Sequence, residues 1–361
     1  MKITCVIPSI AYGGAEKILT LMANYWSIKG KKVTIITFEV AGTETFYNLS
    51  REVTLLQLGL FSDSKSLIAG GINNLRRTIK LRRAIKTTKP DVIVSFLLRT
   101  NIRVLLATLG LRTPVIVSDR SDPFLDSPGN PWSVLAKLTY LLAARIIVFT
   151  QHAASFYPAW LQRKVHVFPN PVLVSSKQPA YQNDNKNLVA VGRLEYEKGF
   201  DLLLKAFAKV QERFPQTKLT IWGEGSQRSK LEELTQRLNL TDSVSLPGTT
   251  KELETVLSAA DVFVQSSRQE GFGNALCEAM AMGLPVISTN CSGPQAIVRD
   301  GVDGRLVPVE DMEALVETIC DLLSHPQKRL QLSTNGVEIS RRFNFEEIMK
   351  RWENLLAEVT A

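Results

Sequence analysis

Two carboxylates, Glu270 and Glu278, stand eight residues apart in the run E-G-F-G-N-A-L-C-E and bracket Gly271, Phe272, Gly273 and Asn274. The approach, Asp261-Val-Phe-Val-Gln265, is a short β-branched and aromatic run that reads as a buried strand, and the exit, Ala275 to Met282, reads as an apolar helix. A strand, a glycine turn and a helix N-terminus aim free backbone N–H groups at one point, and such a point binds anions, phosphate above all. Glu278 falls about one turn inside that helix, where a carboxylate accepts from the hydroxyls of whatever the turn holds. The bland alternative is an ordinary strand-to-helix turn with two solvated glutamates.

A second loop supplies the opposite charge. Val191-Gly192-Arg193-Leu194-Glu195-Tyr196-Glu197-Lys198-Gly199 follows a strand-like run and precedes a helix. A diphosphate leaving group gains negative charge as its bond to a sugar breaks, and Arg193 and Lys198 would stabilise it, the arginine by bidentate contact and the lysine as a point charge. Near the start, Gly13 and Gly14 open the first helix with Glu16 just inside it. Adjacent glycines bend the backbone tightly and leave no side chain between a ligand and the helix N-terminus. The spacing is not G-x-G-x-x-G, so a dinucleotide fingerprint is not present. Gly223 and Gly225, and then Pro247-Gly248, end two further strands, while Asp119-Arg120-Ser121-Asp122-Pro123 follows another. No D-x-D triad stands where a metal-bridged diphosphate would need one, so the expectation is a reaction without metal or other cofactor.

These strings, in this order, resemble the retaining, nucleotide-sugar-dependent glycosyltransferases of the E-x7-E type, glycosyltransferase family 4, group 1. They are G-G-A-E-K, the D-R loop, G-R-L-E-Y-E-K-G, the G-E-G loop and E-G-F-G-N-A-L-C-E, with Asp300 to Pro308 similar to the strand entry that follows the motif. The resemblance implies the GT-B fold, an α/β architecture of two Rossmann-like doubly wound domains facing across a cleft. It also implies transfer of a hexosyl or N-acetylhexosaminyl unit from a nucleotide sugar, a UDP sugar first, to an acceptor hydroxyl. Glu278 would bind the ribose, Glu270 the donor sugar with the backbone of Gly271 to Asn274, and Arg193 and Lys198 the departing diphosphate. The loops of Gly192, Gly223, Gly225, Pro247 and Gly248 would hold base and phosphates, Gly13 and Gly14 would meet the nucleotide sugar from the opposite side of the cleft, and Glu16 and Arg120 would face the acceptor. Many relatives carry His at the position of Arg120; an arginine stays protonated and serves as no base, though it can bind phosphate or a sugar hydroxyl.

The elements behind these loops fit that architecture. Ile3–Ile7, Val33–Phe38, Val92–Phe96, Val115–Ser118 and Ile146–Phe149 alternate with helical stretches such as Ala15–Ser27 and Leu75–Lys86, the pattern of a doubly wound parallel sheet. A second series begins at Asn187, and its first helix carries Phe200, Leu203, Leu204, Phe207 and Val210 on one stripe. The polar stretch 175–186 between the series reads as a linker, giving domains of 1–170 and 171–342. By the resemblance the last segment, 343–361, returns to the first domain through Phe345, Met349 and Trp352. At 361 residues and 45% hydrophobic content, two cores of moderate size are expected.

Charge is uneven. Residues 1–170 hold 22 Lys and Arg against 9 Asp and Glu, whereas the remainder holds 21 against 26. A basic half faces something anionic. Leu75 to Lys86 interleaves cations with apolar residues at helical spacing, as in a helix lying on an anionic membrane surface, or in one that packs Leu75, Ile79 and Leu81 on its own sheet. With what the resemblance implies, the expected partners are a nucleotide-sugar donor, a lipid-linked or other glycan acceptor, and a membrane touched peripherally from the cytoplasmic side. Cys5, Cys277, Cys291 and Cys320 are scattered, as for buried thiols in a reducing compartment, and neither a signal peptide nor a spanning segment is recognised. Nucleic acid is disfavoured: aromatic content is 7% and no recognition motif is present. The alternative function is another nucleotide-sugar enzyme of this fold, an epimerase or a synthase with a soluble acceptor.

Overall fold

The computed structural model describes residues 1–60, 67–124, 131–174 and 187–361, with the backbone alone for 67–72. The linker expected at 175–186 lies outside the described residues. The chain forms two compact units, Met1–Pro169 with Ile348–Ala361, and Asn170–Glu347.

The first unit is built on a seven-stranded parallel sheet: β1 (Lys2–Val6), β2 (Lys32–Thr37), β3 (Thr54–Gln57), β4 (Val92–Phe96), β5 (Val115–Ser118), β6 (Arg145–Val148) and β7 (Val165–Val167), in the order β3-β2-β1-β4-β5-β6-β7. The second has six: β8 (Asn187–Val191), β9 (Lys218–Trp222), β10 (Val244–Gly248), β11 (Val262–Gln265), β12 (Val286–Thr289) and β13 (Arg305–Val307), in the order β10-β9-β8-β11-β12-β13. All the strand pairs are parallel, in register such as Ile3 opposite Val33 and Leu188 opposite Leu219. The strand order reverses once in each sheet, between β1 and β4 and between β8 and β11. At such a switch point the neighbouring loops diverge and leave a crevice at the carboxyl ends, the usual ligand position in open α/β sheets.

Burial explains why the apolar runs became these strands. The central strands β4, β5, β11 and β12 are buried along their whole length, as a sheet covered on both faces requires. The expected stripe Phe200, Leu203, Leu204, Phe207 and Val210 is buried on the helix Phe200–Arg213, packed in one core with Leu188, Ile221 and Val264. β3 departs from the sequence expectation. It is not among the expected strands, and it is a four-residue edge strand with no fully buried residue, its Leu55 and Leu56 flanked by Thr54 and Gln57. The basic segment 75–86 lies in the helix Leu67–Thr88 and divides its apolar residues: Leu81 and Ile85 enter the core, while Leu75 and Ile79 stay exposed.

The closing helix, Phe345–Thr360, contributes Met349 and Trp352 to the first unit, where Trp352 meets Trp26 and Phe168 edge-on with ring centroids 6.2 and 5.4 Å away. Phe345 is half-buried and falls in the second unit. Lys31 pairs with Glu353 at 2.9 Å and Arg145 with Glu358. No described helix is long and apolar enough to cross a membrane.

Candidate active site

In the second unit the two switch-point loops are those that follow β8 and β11. The first turns through Tyr196–Lys198 into Gly199, which sits at φ 65° and caps the next helix. A side chain there would strike the Ser266 carbonyl, so glycine is required both by the backbone angle and by the approach. The Ser266 hydroxyl in turn donates to the Lys198 carbonyl at 3.1 Å. The N–H groups of Arg268 and Gln269 donate to the Glu197 carbonyl at 2.8 and 3.2 Å. Lys198 and Glu270 are thereby brought together, Nζ to Oε2 at 2.6 Å, with side chains only 18% and 16% exposed. Two residues assigned separate roles from sequence form one ion pair.

Arg268 is the residue sequence reasoning missed. Its guanidinium bonds both oxygens of Asp201 at 2.7 and 2.9 Å, Glu310 at 2.9 Å and the Tyr196 carbonyl at 2.9 Å, and lies 4.1 Å from the centre of the Tyr196 ring. Burial raises the Asp201 carboxyl, but the hydrogen bonds and charge of Arg268 outweigh it, leaving Asp201 below its ordinary range. The Lys198 loop and the Glu270 loop are thus clamped to each other by one fork. Arg193 differs from Lys198: it is exposed and pairs with Glu197, at 3.0 Å.

Past Glu270 the chain passes Gly271 and Phe272 to Gly273, which caps the helix Asn274–Ala281 at φ 106°. Leu276, Cys277, Ala279 and Met280 are buried, so Asn274 and Glu278, one turn apart, share the half-exposed face. Phe272 is turned inward, its ring 5.5 Å from that of Phe343, which leaves its backbone rather than its ring for a ligand. Asn274 accepts from the Asn170 amide at 2.6 Å. Gly293, also unforeseen, lets the loop after β12 lie on the motif: a Cβ there would come within 2.7 Å of the Phe272 backbone, and its N–H donates to the Glu270 carbonyl at 3.1 Å. Its only sequence signal is C-S-G-P after a strand.

Gly192, Gly223 and Gly225 meet one another's loops. The Gly192 N–H donates to the Trp222 carbonyl at 3.0 Å and the Leu194 N–H to the Glu224 carbonyl at 2.8 Å. The close approach these glycines permit is, in this structure, to the chain's own backbone. Pro247 and Gly248 stand at the carboxyl end of their strand, as the irregular last residues of β10, with Gly248 opposite Trp222 and its carbonyl accepting from the Gly223 N–H at 2.8 Å. An edge strand tolerates the proline because one side needs no ladder bond. Arg228 ties this corner by bonding Glu224, Glu232 and the carbonyls of Gly223 and Leu246.

In the first unit Gly13 caps the helix Gly14–Ile28, and the Glu16 carboxylate folds back over it. The Tyr47 hydroxyl donates to the Gly13 carbonyl at 3.1 Å. The nearby Glu39, buried, accepts from the Ser9 hydroxyl at 2.8 Å and the Ile10 N–H at 3.0 Å. Arg120 lies among rings, its guanidinium 5.1, 4.9 and 6.0 Å from the centres of Phe96, Phe149 and Trp352. Burial lowers its pKa to about 9 against the opposing charge of Asp119, so it remains a cation at neutral pH. Asp119 is buried and accepts from Asn101 at 2.8 Å, Tyr140 at 2.6 Å and Tyr157. Burial, then the Asp119 charge, holds the Tyr140 phenol protonated. Among the described residues no group of three His, Cys, Asp or Glu could hold a metal ion.

Two Rossmann-like units with cation–carboxylate chemistry at a switch point define the GT-B class. In agreement, solved structures align over nearly the whole chain: sucrose-phosphate synthase from Thermosynechococcus elongatus (TM-score 0.87, 20% identity, 99% of this chain and 98% of that one) and Anabaena HepE in complex with UDP and glucose (TM-score 0.81, 18% identity, 99% of each). Residues 12–175 match the model for Glycosyltransferase Family 4, and residues 174–338 match that for Glycosyl transferases group 1. The chain belongs to this family of glycosyltransferases. It is 29% identical, over 99% of both chains, to the GalNAc-alpha-(1->4)-GalNAc-alpha-(1->3)-diNAcBac-PP-undecaprenol alpha-1,4-N-acetyl-D-galactosaminyltransferase of Campylobacter jejuni.

Proposed function

We propose that this enzyme moves a hexosyl or N-acetylhexosaminyl unit, with retention of configuration, from a UDP sugar to a hydroxyl of a lipid-linked glycan in cell-surface polysaccharide assembly. The observation that carries the reading is the Lys198–Glu270 pair at the switch point of the second sheet, beside a glycine-capped helix N-terminus. A UDP-bearing neighbour and a relative named for an undecaprenyl diphosphate-linked acceptor support the donor and acceptor classes.

In this mechanism the diphosphate draws Lys198 toward it and Arg193 swings in from its exposed position. Glu270, released from the lysine, accepts from the donor's sugar hydroxyls, and Glu278 accepts from the ribose. As the bond from the anomeric carbon to the phosphate oxygen breaks, both electrons leave with the UDP, where the cations and the helix N-terminus hold the charge. The acceptor oxygen bonds the anomeric carbon on the same face, and its proton passes to the departing phosphate. No protein base is needed, and Arg120 is suited to none. Charge balance comes from Arg193, Lys198 and backbone N–H groups without a metal. The acceptor reaches the enzyme at the cytoplasmic face of a membrane, against which the basic helix 75–86 rests.

Titrating the protein with UDP, GDP and ADP in the presence of EDTA tests this reading. Metal-free binding of UDP that Lys198→Ala abolishes supports it, and preference for another nucleotide changes the donor. Transfer to a soluble sugar instead of a lipid-linked one would favour the glucoside-synthase alternative.

A further inference from the structure

We propose that one broad face of the first unit, carried by the helices Leu67–Thr88, Leu98–Ala107 and Pro131–Thr139 and the turn Tyr140–Leu142, lies flat on an anionic phospholipid bilayer with its leucines at headgroup depth. The inference extends the basic helix 75–86 of the reading above to a composite surface, and it rests on that reading only for the presence of a membrane-bound acceptor.

The three helices lie side by side, the middle one packed against both others. Arg103 reaches across to the Asn74 side chain at 3.1 Å, and Arg99 covers the Trp132 ring at 5.3 Å. Arg82 bonds the carbonyls of Ala107 and Leu109 at 2.6 and 2.7 Å, closing the end of the middle helix. Each helix turns one side to the sheet, where Leu81 and Ile85, Ile102 and Leu105, and Ala136 and Tyr140 join the core with Ile93 and Val117. On Pro131–Thr139 and the turn after it the side left over is apolar, whereas on Leu67–Thr88 it is mainly cationic, with Arg76, Lys80, Arg83 and Lys86 exposed. Val134, Leu138, Leu141 and Leu142, at helical spacing on one side, are each more than half exposed, and Leu106 and Ile79 are exposed on the neighbouring helices. Exposed apolar residues occurring singly are ordinary, whereas a contiguous set of this kind marks an interaction surface.

Charge identifies the occupant. The four segments carry nine Lys or Arg and no Asp or Glu. A second copy meeting this face by two-fold symmetry would set like charges against each other, and nucleic acid gains nothing from aliphatic leucines. An anionic bilayer satisfies both parts at once: leucines enter the acyl boundary while arginine and lysine stems carry their charges to phosphate. The sequence exposed only the cationic part, because the run from Val134 to Leu142 does not itself tell which of its apolar residues face the sheet.

The test is co-sedimentation of the full chain with vesicles of phosphatidylcholine alone or with phosphatidylglycerol added, across a salt series. Binding to the phosphatidylglycerol vesicles is expected. Leu138→Glu with Leu142→Glu should lower it about tenfold or more at every salt concentration, and Arg76→Ser with Lys80→Ser and Arg83→Ser should lower it and flatten its salt dependence. Leu138→Ser with Leu142→Ser serves if the glutamates disturb folding. Equal binding by all variants overturns the proposal, as does loss of a wild-type dimer in the leucine variants without vesicles, which would make a second copy the occupant. UDP affinity, measured on the same samples, separates the two ideas: vesicle binding without UDP binding sinks the proposed UDP-sugar donor and spares this one.

Discussion

The mouths of the two sheets are built on opposite electrostatic plans. Around β8 and β11 nearly every charge meets a counter-charge within hydrogen-bonding reach: Lys198 with Glu270, Arg193 with Glu197, Arg268 with Asp201 and Glu310, Arg228 with Glu224. Around β5 Arg120 is set among three rings, and the neighbouring carboxylate is satisfied by an amide and two phenols. The first arrangement can exchange partners, since a ligand's phosphate replaces a carboxylate at modest cost. The second is fixed, because moving Arg120 or Asp119 would strip a buried group of its surroundings. One mouth is prepared to trade ions; the other is a rigid frame.

If that contrast is right, Lys198→Ala should give the largest effect, lowering turnover roughly a hundredfold and weakening UDP binding, as loss of one charge-stabilising donor does elsewhere. Glu270→Gln would separate the partners. Turnover should fall about tenfold or more, yet UDP affinity should hold or rise, because the lysine is no longer neutralised; a parallel loss of UDP affinity in calorimetry would refute the exchange. Glu278→Ala should cost about tenfold, chiefly in KM for the donor. Next comes Asp119→Asn, which should lower stability by about 1–3 kcal/mol in urea unfolding while leaving UDP affinity unchanged. An altered UDP affinity there would erase the distinction between the two mouths.

The smallest effect concerns pH. Asp201 titrates below the ordinary carboxylate range when folded, so its pair with Arg268 stabilises fully above about pH 4, the unfolded value, and fades as the pH drops further toward the folded one. The difference in Tm between wild type and Arg268→Ala should therefore be constant near neutrality and shrink below about pH 4.

What could be read from sequence was local. Alternating apolar runs announced most strands, and glycine with glutamate at a strand end announced the motif, because strand burial and helix capping act over a few residues. Pairing acts across the fold. Lys198 and Glu270 are 72 positions apart, and Arg268 stands 67 from Asp201 and 42 from Glu310. No periodicity links such residues, and each alone reads as a solvated charge. The Arg120 cage is harder still, drawing rings from β4, the end of β6 and the last helix.

The closing helix has a bearing on how the protein is made. Trp352 is buried beside Trp26, Phe168 and Arg120 in a unit whose other residues end at Pro169. During synthesis the second unit, continuous from Asn170 to Glu347, can be complete while the first still lacks its final helix. The unit translated first is thus the one finished last, and until residue 352 emerges Trp26 and its neighbours present an open apolar seam for a chaperone or for aggregation.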